Sequence, residues 1–172
     1  MIKRFSQLNI NNANILLKNT ENILLLANNK LSEISKNANN IECAADNVLS
    51  PLNEIFVLIA EARNQASLFA AVHTNITIRK AAEKCTEKLS DFSSKLYLRR
   101  DLYEAIINVK EKDLDDDAKR FRKKELLDFE LSGVNKSQKI RKEIIKLINK
   151  GTKLGQAFDR NIKDDVRHVD LT

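Results

Sequence analysis

Glycine and proline are almost missing from this chain, with 3 Gly and 1 Pro in 172 residues. That is too little punctuation for the turns that strands and hairpins need, whereas Ala, Leu, Lys and Glu, all good helix formers, abound. The sequence therefore predicts an all-α fold, an antiparallel helical bundle or set of hairpins of five to six helices with a long C-terminal helix. At this length a single helical domain, residues 1–172, is large enough to bury a core.

Cysteine and histidine are equally scarce. Cys43 and Cys85 do not form a Cys-x-x-Cys pair, and MIKRFSQLNINN has no apolar core after its basic residues, so no export signal is read there. Reduced thiols in a cytoplasmic protein are the expectation. No continuous apolar run approaches the about 20 residues that cross a bilayer. The longest runs from Ile55 to Ala60, so no membrane partner is expected. His73 and His168 are the only histidines, and neither begins a His-Glu-x-x-His zinc motif. No Ser or Cys nucleophile is paired with either, which argues against a hydrolytic triad. No catalytic, cofactor-binding or metal residue is assigned.

Charge of one sign is not in large excess. The net +6 comes from 30 basic residues against 24 acidic ones, largely interleaved, which reads as solvated helix surface. The densest basic stretch, Lys119 to Lys124, directly follows the acidic run Asp113 to Asp117. Beyond a Debye length of about 10 Å the two fields largely cancel. Nucleic acid is not expected as a partner.

What is present is helical periodicity. From about Asn14 to Asn37, Leu16, Ile23, Ala27, Leu31 and Ile34 share a face. Ser50 followed by Pro51 reads as a capping hydroxyl and a first-turn proline. The following helix carries Leu52, Ile55, Ile59, Ala62, Ala66 and Phe69 at steps of three and four. Thr74 and Asn75 break it and can cap a third helix with Ile78, Ala82, Cys85, Leu89, Phe92 and Leu96, making an antiparallel hairpin. A shorter helix, about Arg99 to Val109, presents Leu102, Tyr103, Ile106 and Ile107. Asp116 to Ser132 should form a fifth, ended by Gly133. The last, from near Asn135 to about Val166, aligns Ile140, Ile144, Leu147, Gly151, Leu154, Phe158 and Ile162. At 1.5 Å per residue it would be about 45 Å long, the spine of the bundle. The tail Val169 to Thr172 is β-prone.

Smaller constellations read as structural. Asp113, Asp115 and Asp117 imitate the start of an EF-hand loop, but Ala118 stands at the glycine position and Lys124 where a bidentate Glu is needed. Cys43, Cys85, His73 and His168 have zinc-ligand types without the local pairs of structural sites. His73 is expected at a helix end, partly packed and meeting the last carbonyls. Gly151 and Gly155 form a small-x-x-x-small pair suited to close helix approach. Tyr103 is expected in the hairpin corner, with Arg99 and Arg100 facing water.

Two stretches also carry a resemblance. RFRKKELLDFELSGV (Arg120 to Val134), followed by a long helix closing with KLGQAFDRNIKDDVRHVDL (Lys153 to Leu171), and AAEKCTEKLSDFSSKLYLRRDLYEAI (Ala81 to Ile106) resemble the thimet oligopeptidase and neurolysin (oligopeptidase A-like) family of zinc metallopeptidases. The likeness spans roughly Pro51 to Leu171. It implies the N-terminal helical, channel-wall portion of such an enzyme, with short peptides as substrates of the parent enzyme. It also implies that zinc and its His-Glu-x-x-His helix lie beyond Thr172, so that this chain alone should be inactive. Two other readings remain open: a stand-alone helical protein-interaction module and a basic helical nucleic-acid-binding protein. Apolar surface left uncovered by truncation is expected to drive self-association.

Overall fold

Six α-helices and no strand make up the described residues, which in this computed structural model are 12–37 and 44–164. They are α1 (Ala13–Asn37), α2 (Ser50–Val72), α3 (Ile76–Leu96), α4 (Arg100–Asn108), α5 (Asp116–Ser132) and α6 (Gln138–Asp164). A π-helical turn, Ala45–Leu49, leads into α2, and a 3-10 turn, Glu111–Asp113, precedes α5.

The core is a three-helix unit of α1, α2 and α3. The three-and-four spacing of α1 buries all of Leu16, Ile23, Ala27, Leu31 and Ile34, with Thr20 among them. Thr20 survives burial because its hydroxyl donates to the Leu16 carbonyl at 3.1 Å. α2 contributes Leu52, Ile55, Ile59, Ala62 and Ala66, and α3 contributes Ile78, Ala82, Cys85, Leu89 and Leu96. A fully buried leucine such as Leu89 contributes about 1.5–3 kcal/mol through loss of apolar surface to water. α4 and α5 close one end, packing on each other and on the π-turn.

Asn75 caps α3 as expected, its side chain accepting from the Thr77 N–H at 2.8 Å. Asp115 does the same for α5, accepting from Ala118 at 2.7 Å. Gly133 ends α5 with φ 93°, in the left-handed region.

Ser50 is not a cap. The chain is already helical through Ala45–Leu49, and Asn47 reaches back to accept from the Ala44 N–H at 2.8 Å. The wider π-turn relieves the clash of the Pro51 ring with the carbonyl four residues earlier, so the proline sits inside a continuous helix. That helix, Ala45–Val72, is by length and composition apolar enough to cross a membrane. Counting only unbroken apolar residues misses this. In the bundle its buried face packs against α1 and α3.

The largest departure concerns α6, which is not the spine. It lies outside the three-helix core along α3, and none of its residues 138–162 is buried. Its polar edge faces inward: Asn149 donates to Asp91 at 2.9 Å, Gln156 to the Glu83 carbonyl at 3.2 Å, and Arg160 to the Glu83 carboxylate at 3.0 Å. At about 100° per residue, the stripe Ile140, Leu147, Gly151, Leu154, Phe158 and Ile162 falls on roughly the opposite side. It is exposed to solvent. The α6 start also falls at Gln138 rather than Asn135, because Ser137 supplies the first turn with both its carbonyl and its hydroxyl.

Candidate functional site

The two segments that carry the family resemblance converge at the α3–α5 corner. α5 turns once every 3.6 residues, so Phe121, Glu125 and Phe129, four apart, line one face. Tyr97, at the C-cap of α3, meets them. Its ring stacks on Phe56 of α2 with centroids 5.5 Å apart and planes 9° off parallel. It also meets the fully buried Phe129 edge-on at 5.1 Å. Phe56 in turn meets Phe121 edge-on at 6.4 Å, and Tyr103 of α4 reaches Phe129 at 6.2 Å. Such offset and edge contacts each add about 0.5–1.5 kcal/mol beyond area burial.

Inside this aromatic wall sits a carboxylate. Glu125 is 3% exposed and accepts from the Tyr97 hydroxyl at 3.2 Å and from Lys124 at 3.5 Å. Both bonds are long, and Lys124 is held more closely by Asp128 at 2.7 Å. Burial accordingly pushes the Glu125 carboxyl above its ordinary range, against the pull of Lys124 and Tyr97. Burial and the neighbouring Glu125 charge also raise the Tyr97 phenol. Beside the pair opens a cleft of about 380 Å³ between α2, α3 and α5, walled by Phe56, Phe92, Tyr97 and Phe121 with Arg63 and Lys124 at its polar side. The rings can pack an apolar side chain, and Arg63 can meet a carboxylate.

The Arg-Arg-Asp stretch behaves differently at its two arginines. Arg100 faces water, its side chain 64% exposed beside Glu104 at 3.5 Å. Arg99 does not: its guanidinium donates to Asp101 and, at 2.6 Å, to the Ser35 hydroxyl, which ties α1 to the start of α4. Burial pushes the Asp101 carboxyl up, but the Arg99 and Ser35 hydrogen bonds outweigh it and leave the group below the usual range. Tyr103 packs in the corner as expected, its hydroxyl donating to Glu130 at 2.6 Å. Arg122 donates to the Ile106 and Ile107 carbonyls at 3.1 and 2.9 Å, satisfying the C-terminal end of α4.

The remaining sequence candidates are spread apart. His73 caps α2, its backbone N–H donating to the Phe69 carbonyl at 3.1 Å while its ring Nδ1 accepts from the Asn75 N–H at 3.0 Å. Asp115 is spent on the α5 cap, Asp117 pairs with Arg120 at 3.1 Å, and Asp113 lies in the 3-10 turn. Cys85 is fully buried between α1 and α3, where its thiol meets the Leu16 carbonyl at 3.8 Å and burial raises its pKa. Cys43 and His168 lie outside the described residues. Among the described residues no three His, Cys, Asp or Glu side chains converge on one point. Glu125, the one buried charge among the described residues, is not singled out by the sequence pattern alone, although phenylalanines four residues to either side mark its face as apolar. No family model matches this chain, and no curated protein matches it.

Proposed function

We propose that this chain is the helical, non-catalytic channel-wall domain of a zinc oligopeptidase of the thimet oligopeptidase type. One observation supports this most: the residues that carry the resemblance are those that build the α3–α5–α6 corner. In the DFELSGV stretch, Phe129 and Val134 are fully buried and Gly133 takes the left-handed turn between α5 and α6. In the upstream stretch, Tyr97 and Tyr103 supply the ring contacts to Phe129 that fix the same corner, while Arg99 and Asp101 tie the start of α4 to Ser35 of α1.

The domain's contribution would be steric. Packed helices deform little, so a wall made of them admits a flexible short peptide and excludes a folded protein. The cleft beside Glu125 is where an apolar peptide side chain could rest. The donor groups of the described residues do not fit a zinc ion, so no chemical step is assigned to them. Metal-assisted hydrolysis would belong to a separate His-Glu-x-x-His region.

Sequencing the transcript downstream of the Thr172 codon tests this reading. An in-frame His-Glu-x-x-His helix supports it, and an in-frame stop overturns it. A stop would favour a second reading, a helical interaction module, to which the outward apolar stripe of α6 lends support.

A further inference from the structure

α6 is amphipathic but docked the reverse of the usual way. Polar side chains hold it to α3, with Lys153 reaching Glu87 at 3.4 Å beside the Asn149, Gln156 and Arg160 bonds. Leu147, Leu154 and Phe158 are left 63%, 60% and 65% exposed. An apolar ridge from Ile140 to Ile162, about 33 Å long at 1.5 Å per residue, thus points into solvent. Such a face is costly unless something covers it.

Two features identify the cover. First, Gly151 and Gly155 lie within the ridge, and a Cβ placed on either would meet nothing within 4 Å. At Gly151 and Gly155 the ridge carries no side chain, a recess beside Leu154 into which a crossing helix can settle closely. A lipid surface gains nothing from such a recess. Second, α6 holds eight basic residues against three acidic ones. Lys139, Lys146 and Lys150 run along one border of the ridge, with Glu143 the acidic residue among them, and these three lysines form no ion pair among the described residues. A second α6 would bring like charge against like, whereas an acidic flank would complement it.

We propose that α6 is the docking face for an amphipathic α-helix of a partner protein, one that crosses at Gly151–Gly155 and carries Asp or Glu along the edge facing Lys139, Lys146 and Lys150. The inference uses α6 alone and stands apart from the peptidase reading.

The test is a display library of helical peptides with a fixed apolar stripe and randomised flanks, selected against the full chain. Enrichment of Asp and Glu on one flank is expected. The best peptide should bind at least about tenfold more weakly to Leu147→Asp and to Gly151→Leu, the first removing apolar contact and the second filling the recess. The Lys146→Glu, Lys150→Glu double variant should lose the acidic peptide and gain a Lys-flanked one, a swap that simple misfolding would not produce. All these positions are exposed, and circular dichroism checks that helicity is kept. Flanks of no preferred charge, or binding indifferent to Leu147→Asp, would overturn the proposal. So would a dimer of the chain that Leu147→Asp dissolves, or sedimentation with phosphatidylglycerol vesicles in the absence of any selected peptide.

Discussion

Glu125 sits on the aromatic face of α5, hydrogen-bonded to Tyr97, because of where a four-residue step places it. In KKELLDF it reads as one more surface charge, yet Phe121 and Phe129 on the same face carry it inward. Its folded-state pKa is raised by burial, so between the unfolded and folded values the folded chain holds the extra proton and stability falls as pH rises. Glu125→Gln, which keeps an acceptor for Tyr97, is therefore expected to raise Tm at pH 7. The gain should shrink as pH falls towards the ordinary value of 4.5. A Tm unchanged or lowered at pH 7 would show that Lys124 compensates the carboxylate. Gly133 offers a second check. At φ 93° any side chain is strained, while the clash of a new Cβ with Ile144 Cδ1, at 2.8 Å, is relieved by the flexible end of that side chain. Backbone strain then dominates, and Gly133→Ala should cost about 1–2 kcal/mol in urea unfolding.

At the scale of elements, the helices were legible and their exposure was not. The same three-and-four spacing marks α1, where Leu16 to Ile34 are buried, and α6, where Leu147 to Ile162 are bare. Periodicity identifies an apolar face, but which neighbour covers it depends on contacts remote in sequence. For α6 the polar partners Asp91, Glu83 and Glu87 on α3 decided the matter. Short-range capping signals fared well at Asn75 and Gly133, and failed at Ser50, where a π-turn carried the helix upstream. The orientation of α6 has a direct thermodynamic consequence. Leu89→Ala, in the core, should cost about 2–5 kcal/mol. Leu147→Ala should change stability by no more than about 0.5 kcal/mol. Paired denaturation curves separate the two, and equal losses would place α6 inside the core.

For the whole molecule, the all-α architecture followed from composition, since three glycines and one proline leave little room for strands. The order of helices followed from periodicity. The tertiary joints did not, because Arg99–Asp101–Ser35 and Tyr97–Phe56–Phe129 link residues far apart in sequence by geometry that no local pattern encodes. The central claim is that these helices are scaffolding for chemistry carried elsewhere. A quenched short peptide, incubated with the purified chain and separately with the product of the gene's full reading frame, in each case with and without a zinc chelator, tests it most directly. The account predicts chelator-sensitive cleavage by the full product and none by residues 1–172; chelator-sensitive cleavage by the chain alone, or none by either, would contradict it.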